Sequence, residues 1–380
     1  MLDDAVEQQD VPFVVAMVAN SEGTVWQGQS GYANPSHRAG PRTVFKLLSM
    51  TKAIGSLAAM ILVDRGTLTL DTEVASVLPE FDELRVLESI GVGSPEFRPA
   101  RRRATLRHLL THTSGLSTKT FDRKHRMWEE TTGAPNVHTG TLASMRYPLM
   151  FDPGEGFTYG IGIDWVGLLV ERIDGRPIDQ FCRHEIFGPL EMHDTCFELN
   201  PRDQLADLRI RTAHEDFADC AFASPISNPE VYSMGHAVFS TAPDYLRFLR
   251  MILGKGELDG RRVISARSVH EMTTNQIGDM SVPVLESTSR DVSADVEFFP
   301  GTRKTFTAGF MRTETDVPTM RRAGSLSWAG AANTHFWIDP VSDLAAVFMT
   351  QTFPFCEPRF MDRYAAFERA VYRLFAPEWS

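Results

Sequence analysis

Strand-like segments stand at both ends of this 380-residue chain and helical ones lie between them, which restricts how its ends and middle can share a core. Near the start, Phe13-Val14-Val15-Ala16-Met17-Val18-Ala19 is a short apolar run rich in β-branched residues. The turn residues Asn20-Ser21-Glu22-Gly23 follow, and Thr24-Val25-Trp26-Gln27-Gly28 reads as a returning strand, so the pattern predicts a hairpin. Near the end, His335-Phe336-Trp337-Ile338 and Leu344-Ala345-Ala346-Val347-Phe348-Met349 flank the turn residues Asp339 to Asp343 and predict a second. Arg359 to Phe375 then reads as a terminal amphipathic helix. Met50 to Arg65 has helical apolar spacing and stops at Gly66, a residue suited to a C-terminal cap. From about Leu70 to Arg211 the pattern is mainly helical, clearest in Thr105 to Leu110 and Asp164 to Ile173, with breaks at Asp152-Pro153-Gly154 and Gly188-Pro189. Strands at both ends predict a discontinuous α/β domain, residues 1–70 and 215–380, holding a mainly helical domain, residues 71–214.

Composition narrows the function. The formal charge is −11, from 38 basic and 49 acidic residues, which argues against non-specific binding to nucleic acid or anionic membrane. The run Arg101-Arg102-Arg103 is local and reads as a solvated face. Met1-Leu2-Asp3-Asp4 is acidic and no signal-like apolar run follows, nor does any stretch reach the length of a membrane helix. The cysteines Cys182, Cys196, Cys220 and Cys356 are scattered and read as buried thiols. The expected setting is the cytoplasm.

The chemistry centres on Ser49 and Lys52. They open the first long helix in Phe45-Lys46-Leu47-Leu48-Ser49-Met50-Thr51-Lys52, and residues three apart share a helix face, so hydroxyl and amine can meet. A serine at a helix N-terminus also places its own N–H near a developing oxyanion. Lysine accepts a proton only when neutral, which needs desolvation or a nearby cation. The neighbours Ala53, Ile54, Leu57 and Ala58 are compatible with burial. Taken alone, Ser-x-x-Lys is equally the pattern of an ordinary helix start.

Five marks in order supply context: Ser49-Met50-Thr51-Lys52; Leu109-Leu110-Thr111-His112-Thr113-Ser114-Gly115-Leu116; Pro153-Gly154-Glu155-Gly156-Phe157-Thr158-Tyr159; Phe239-Ser240-Thr241-Ala242-Pro243-Asp244-Tyr245; and Trp328-Ala329-Gly330. From about residue 10 to 375 the chain resembles the serine β-lactamase and penicillin-recognising superfamily. Within it, the chain looks most like the family VIII carboxylesterases and the lovastatin-type acyltransferases. The resemblance implies a β-lactamase-like fold, an antiparallel sheet flanked by helices with a mostly helical insertion. It also implies Tyr159 as third catalytic residue, a phenol that relays protons between nucleophile and leaving group. Tyr32-Ala33-Asn34 matches a lactamase Tyr-x-Asn pattern but precedes Ser49 and reads as structural, and Tyr232-Ser233-Met234 lacks the Pro-Gly lead-in.

Two departures point away from lactams. Tyr159-Gly160-Ile161 stands where β-lactamases have Tyr-x-Asn, so Ile161 cannot offer the side-chain amide. Trp328-Ala329-Gly330 stands where they have Lys-Thr-Gly, so Trp328 removes the cation that grips a lactam carboxylate. By the resemblance, this stretch is a strand edge lining the site. There Trp328 forms an apolar wall, Gly330 lets the backbone approach substrate, and the N–H groups of Ala331 and Ser49 form the oxyanion hole. Lys304-Thr305-Phe306 superficially matches Lys-Thr-Gly but reads as a surface loop. Phe298-Phe299-Pro300 suits either an acyl-pocket lid or a loop anchor.

His108 and His112, four apart, have a metal-binding spacing but lack HExxH and read as core or capping residues. Neither a Gly-x-Ser-x-Gly elbow nor a Walker or dinucleotide motif occurs. The expectation is a serine carboxylesterase acting on short- to medium-chain or small-alcohol esters through an acyl-Ser49, with no cofactor or metal. The alternatives are an acyltransferase with the same residues and an alcohol acceptor, a D-peptidase or weak β-lactamase, and a non-catalytic binding protein. The expected partner is a small-molecule ester, with no nucleic acid and no membrane.

Overall fold

The computed structural model describes residues 1–91, 94–200, 204–220 and 228–379. Both expected hairpins form, and they join one eight-stranded sheet. Its strands are β1 (Phe13–Ala19), β2 (Thr24–Asn34), β3 (His37–Arg38), β4 (Lys304–Phe306), β5 (Met311–Thr313), β6 (Leu326–Gly330), β7 (Thr334–Asp339) and β8 (Leu344–Met349). They run in the order β4-β5-β6-β7-β8-β1-β2-β3, and every neighbouring pair is antiparallel. The β1–β8 pairing, with Val15 opposite Met349 and Ala19 opposite Ala345, is where the two ends of the chain meet. The result is the mixed α/β, β-lactamase-like fold.

All of β1 is buried because both faces of the sheet are covered. Successive side chains alternate sides. Val14, Ala16 and Val18 join Trp337, Ala346 and Phe348 against Phe360, Tyr364, Phe367 and Val371 of the terminal helix Pro358–Phe375. Phe13, Val15, Met17 and Ala19 face the larger core with Phe336, Val347 and Met349. That core surrounds helix α1 (Thr51–Asp64), in which every residue from Thr51 to Leu62 is buried. A helix apolar on all sides is one enclosed on all sides. It packs on α2 (Gly162–Asp174), and Gly55 permits the approach. A Cβ there would lie 2.9 Å from Ile163 and from Met234.

The middle of the chain is less helical than its pattern predicts. It holds short helices and 3₁₀ turns, and also a hairpin, Val86–Ser89 with Glu96–Arg98. Two of its segments return to the chain ends: Gln204–Leu205 pairs with Thr43–Val44, and Arg209–Ile210 with Thr352–Phe353. Its helix Arg123–Thr132 has Met127 and Trp128 as its only apolar residues and so no apolar stripe to reveal it. Lys304-Thr305-Phe306 is no surface loop but the buried edge strand β4. Its lysine is accommodated because Nζ donates to the carbonyls of Phe298 (2.6 Å) and Phe299 (3.3 Å). Cys182 and Cys356 are buried, whereas Cys196 and Cys220 are only half-buried. Among the described residues, no helix is long and apolar enough to cross a membrane.

Candidate active site

Ser49 sits in a single 3₁₀ turn, Leu48–Met50, that runs straight into α1. The turn is clamped from several directions. Gln351 holds Lys46 at both N–H (3.0 Å) and C=O (3.1 Å), and the Leu47 N–H donates to Val238 O at 3.0 Å. Val238 N–H donates to Thr51 Oγ1 (3.3 Å), and Tyr245 Oη donates to Met50 O (3.0 Å). The mark Phe239 to Tyr245 is therefore a clamp on the serine turn. Within that clamp Leu48 adopts φ +47°, a left-handed conformation that a branched residue holds only under surrounding constraint.

Gly330 belongs to the same clamp. A Cβ there would stand 2.1 Å from Leu47 O and 2.3 Å from Thr334 Oγ1. Gly330 lets β6 approach the serine turn, and its neighbours Ala329 and Ala331 line the cavity. Strand β6 is not the edge of the sheet. It lies between β5 and β7, but β5 pairs only as far as Ser327, which leaves Trp328 to Gly330 open on that side.

Lys52 Nζ lies 3.2 Å from Ser49 Oγ and donates to Gly235 O at 2.9 Å. The same amine is 4.9 Å from the centroid of the Tyr159 ring. Tyr159 is buried, and its oxygen accepts from Trp328 Nε1 at 3.3 Å. Its position is set by backbone. A Cβ at Gly160 would lie 2.1 Å from Leu116 O, and one at Gly162 would lie 2.5 Å from Leu109 O. Thr158 N–H donates to His112 O (2.9 Å), and Gly154 N–H donates to Thr113 O (2.7 Å). The mark Leu109 to Leu116 is the platform on which the tyrosine loop rests. His112, with φ +58°, packs its ring 4.7 Å from that of Tyr159, and His108 caps its own short helix with Thr105. Burial, then the charge of Lys52, holds His112 well below the usual imidazole range, so its ring is neutral.

A cavity of about 210 Å³ opens on Ser49, Lys52, Tyr159 and Ile161. Trp328, Phe298, Phe121 and Phe355 contribute aromatic surface to its lining, and Phe298 lies 6.4 Å from the Trp328 ring. Phe299 is instead an anchor, lying 4.5 Å from the Arg321 guanidinium. Tyr32 is exposed, Tyr232 donates to Glu198, and neither lines the cavity.

The sequence reading missed Asp164, Gly235 and His236, which also line the cavity. Asp164 is fully buried, and that burial raises its carboxyl above the usual range against the opposing pull of Lys52. It accepts from the Gly235 N–H (3.1 Å) and from Ser233 Oγ. No local pattern marks these residues. The one visible signal was an acidic residue in the first turn of a helix.

Comparison with known proteins places this geometry. The chain is 30% identical to the acyltransferase calJ of Penicillium decumbens, over 83% of this chain and 77% of that one. It is 29% identical to the lovastatin esterase of Penicillium rubens, over 88% and 86%. Among solved structures, a mutant simvastatin synthase from Aspergillus terreus superposes with a TM-score of 0.83 at 27% identity, covering 99% of this chain and 94% of that one. The family model described as Beta-lactamase matches residues 1–371, and the chain belongs to that family.

Proposed function

We propose that the protein is a serine acyltransferase that carries an acyl group on Ser49 and delivers it to an alcohol, with water as a slower competing acceptor. The carrying observation is the contact of Lys52 Nζ with Ser49 Oγ (3.2 Å) and Gly235 O (2.9 Å) in a cavity whose lining includes Phe121, Phe298, Trp328 and Phe355. Lys52 takes the serine proton as Oγ attacks the ester carbonyl. The N–H groups of Ser49 and Ala331 receive the oxyanion; Ser49 lies in the first helical turn, where N–H groups lack intrahelical partners. Tyr159 accepts from Trp328, so its own proton is directed elsewhere and can pass to the departing alkoxide. The C–O bond to the leaving alcohol breaks, and an acceptor alcohol reverses the sequence, returning its proton to the Lys52–Tyr159 pair.

The relatives named as acyltransferases, with the simvastatin synthase structure, support transfer as the main activity. Hydrolysis of the same esters is the second reading, favoured by the similarity to a lovastatin esterase. Ile161 and Trp328 at the cavity wall argue against lactams and D-peptides. The test uses p-nitrophenyl butyrate with and without n-butanol. Intact-mass spectrometry should find a butyryl adduct on the wild type and none on Ser49→Ala, and butanol should yield butyl butyrate in excess of butyrate. An adduct on Ser49→Ala would overturn the nucleophile, and butyrate as sole product would favour the esterase.

A further inference from the structure

The cavity lining also holds polar residues that the acyl-transfer chemistry does not use: Glu129, Asn136, Asp164 and His236. Hydrogen-bond accounting shows what these residues offer a ligand. Asn136 Oδ1 accepts from the His138 N–H (3.0 Å) and its Nδ2 donates to Glu129 Oε1 (3.3 Å). Glu129 Oε1 also accepts from Lys119 (2.5 Å), while its buried Oε2 has no hydrogen-bond partner and stands 3.8 Å from His125 Nε2. Asp164 is engaged by Ser233 and Gly235.

His236 differs. Ser233 Oγ donates to Asp164 and accepts from the Gly235 N–H (3.1 Å), so its remaining lone pair faces His236 Nδ1 at 2.7 Å. With its one proton directed at the carboxylate, Ser233 can only accept from Nδ1–H. A neutral imidazole that donates through Nδ1 carries a lone pair on Nε2. Burial holds the ring neutral, as do the nearby charges of Lys52 and Lys46, with His138 packed at 4.3 Å. The Asp164–Ser233 pair therefore fixes one tautomer of His236, the residue next to the Gly235 carbonyl that holds Lys52.

Resting on the acyltransferase reading above, we propose that His236 is a specificity-determining residue whose Nε2 accepts a hydrogen bond from a second hydroxyl of the acceptor. The preferred acceptors are then neutral molecules with one hydroxyl for transfer and another for recognition. Carboxylates are disfavoured, because a neutral acceptor nitrogen offers them no donor.

The test takes p-nitrophenyl butyrate as donor and compares α,ω-diols, from ethylene glycol to hexanediol, with the mono-alcohols of the same carbon number. The readout is the ratio of transfer to hydrolysis. In the wild type at least one diol should exceed its mono-alcohol by about two- to ten-fold, the range of one net hydrogen bond. His236→Asn keeps a donor toward Ser233 but lacks Nε2, and the diol preference should vanish. His236→Gln, whose amide oxygen reaches the Nε2 position, should restore part of it and serves as the second variant should the asparagine protein not fold. A wild type indifferent to the second hydroxyl, or a preference that survives His236→Asn, overturns the role of His236 and leaves acyl-Ser49 standing. Absence of any acyl-Ser49 in the wild type overturns both.

Discussion

Gly330→Ala tests whether the serine turn and β6 form one precise unit. The added Cβ would meet Leu47 O at 2.1 Å, whereas ordinary contact begins at 3.4 Å, so about 1.3 Å of separation must be found. Thr334 Oγ1, the other obstacle at 2.3 Å, can rotate away. Leu47 O cannot, because it is backbone and its own N–H is tied to Val238 O at 3.0 Å. Strand β6 and the turn must therefore part, which shifts Ser49 relative to Ala331 and widens the proposed oxyanion hole. Overpacking of this kind costs about 1–3 kcal/mol in stability. A displacement near 1 Å between reacting groups costs on the order of 100-fold in rate. The assay is the pre-steady-state burst of p-nitrophenol from p-nitrophenyl butyrate, with thermal unfolding measured in parallel. Gly23→Ala is the control, since nothing lies within 4 Å of its Cβ and it should be silent in both. An acylation rate for Gly330→Ala within about two-fold of the wild type, at unchanged melting temperature, would refute the reasoning from close approach.

The other expectations concern the proton path and acid stability. Lys52→Ala and Tyr159→Phe should each lower the burst rate by about 10²–10⁴-fold without large loss of fold, a range typical of acid–base groups. Trp328→Phe keeps the aromatic wall but removes the N–H to Tyr159. The loss should be modest, roughly two- to ten-fold in kcat/KM, and a loss as large as that of Tyr159→Phe would give Trp328 a more direct part. Stability should fall on acidification. Burial holds His125 to about 4, His335 to about 3 and His112 well below its usual range. Unfolded imidazoles bind protons below about pH 6.5 while these folded ones do not, so stability is lost as pH drops from there toward about 4. Three such groups give a slope of roughly 4 kcal/mol per pH unit. Urea unfolding that gave the same free energy at about pH 7 and about pH 5 would contradict the burial of neutral histidines.

What the sequence made legible was local. Ser49 and Lys52 are three residues apart, and helix geometry alone lets them meet. The run Phe13 to Ala19 showed itself as a strand because it is apolar on both faces. Tyr159 was legible only through resemblance, since no spacing connects it to Lys52. The carbonyl that holds Lys52 belongs to Gly235, 183 residues away, and a backbone acceptor leaves no trace in residue type. The approach of Gly330 to the serine turn was not legible, because a small residue shows that something comes close and not what. Lys304-Thr305-Phe306 was read as a surface loop, whereas two backbone carbonyls make burial of its lysine tolerable.

These cases explain why the five sequence marks identify the chemistry and not the acceptor. Phe239 to Tyr245 and Gly330 hold the serine turn, Leu109 to Leu116 and Pro153 to Tyr159 hold the tyrosine loop, and Lys52 stands between the two. The holding contacts of the turn and the loop run mainly through the backbone, as with Gly330 against Leu47 O, Tyr245 Oη on Met50 O and Thr158 N–H on His112 O, so substitution there moves the reacting atoms themselves. Phe298, His236 and Ile161 line the same cavity, and none of the clamping contacts just named runs through their side chains. Their shape and polarity can change without moving Ser49 toward or away from Lys52. Relatives named as transferases and as an esterase can then share one acylation apparatus while differing in what takes the acyl group away. The choice between alcohol and water should accordingly respond to substitutions on the cavity flanks far more than to any in the clamps, where losses fall on acylation and so on every acceptor alike.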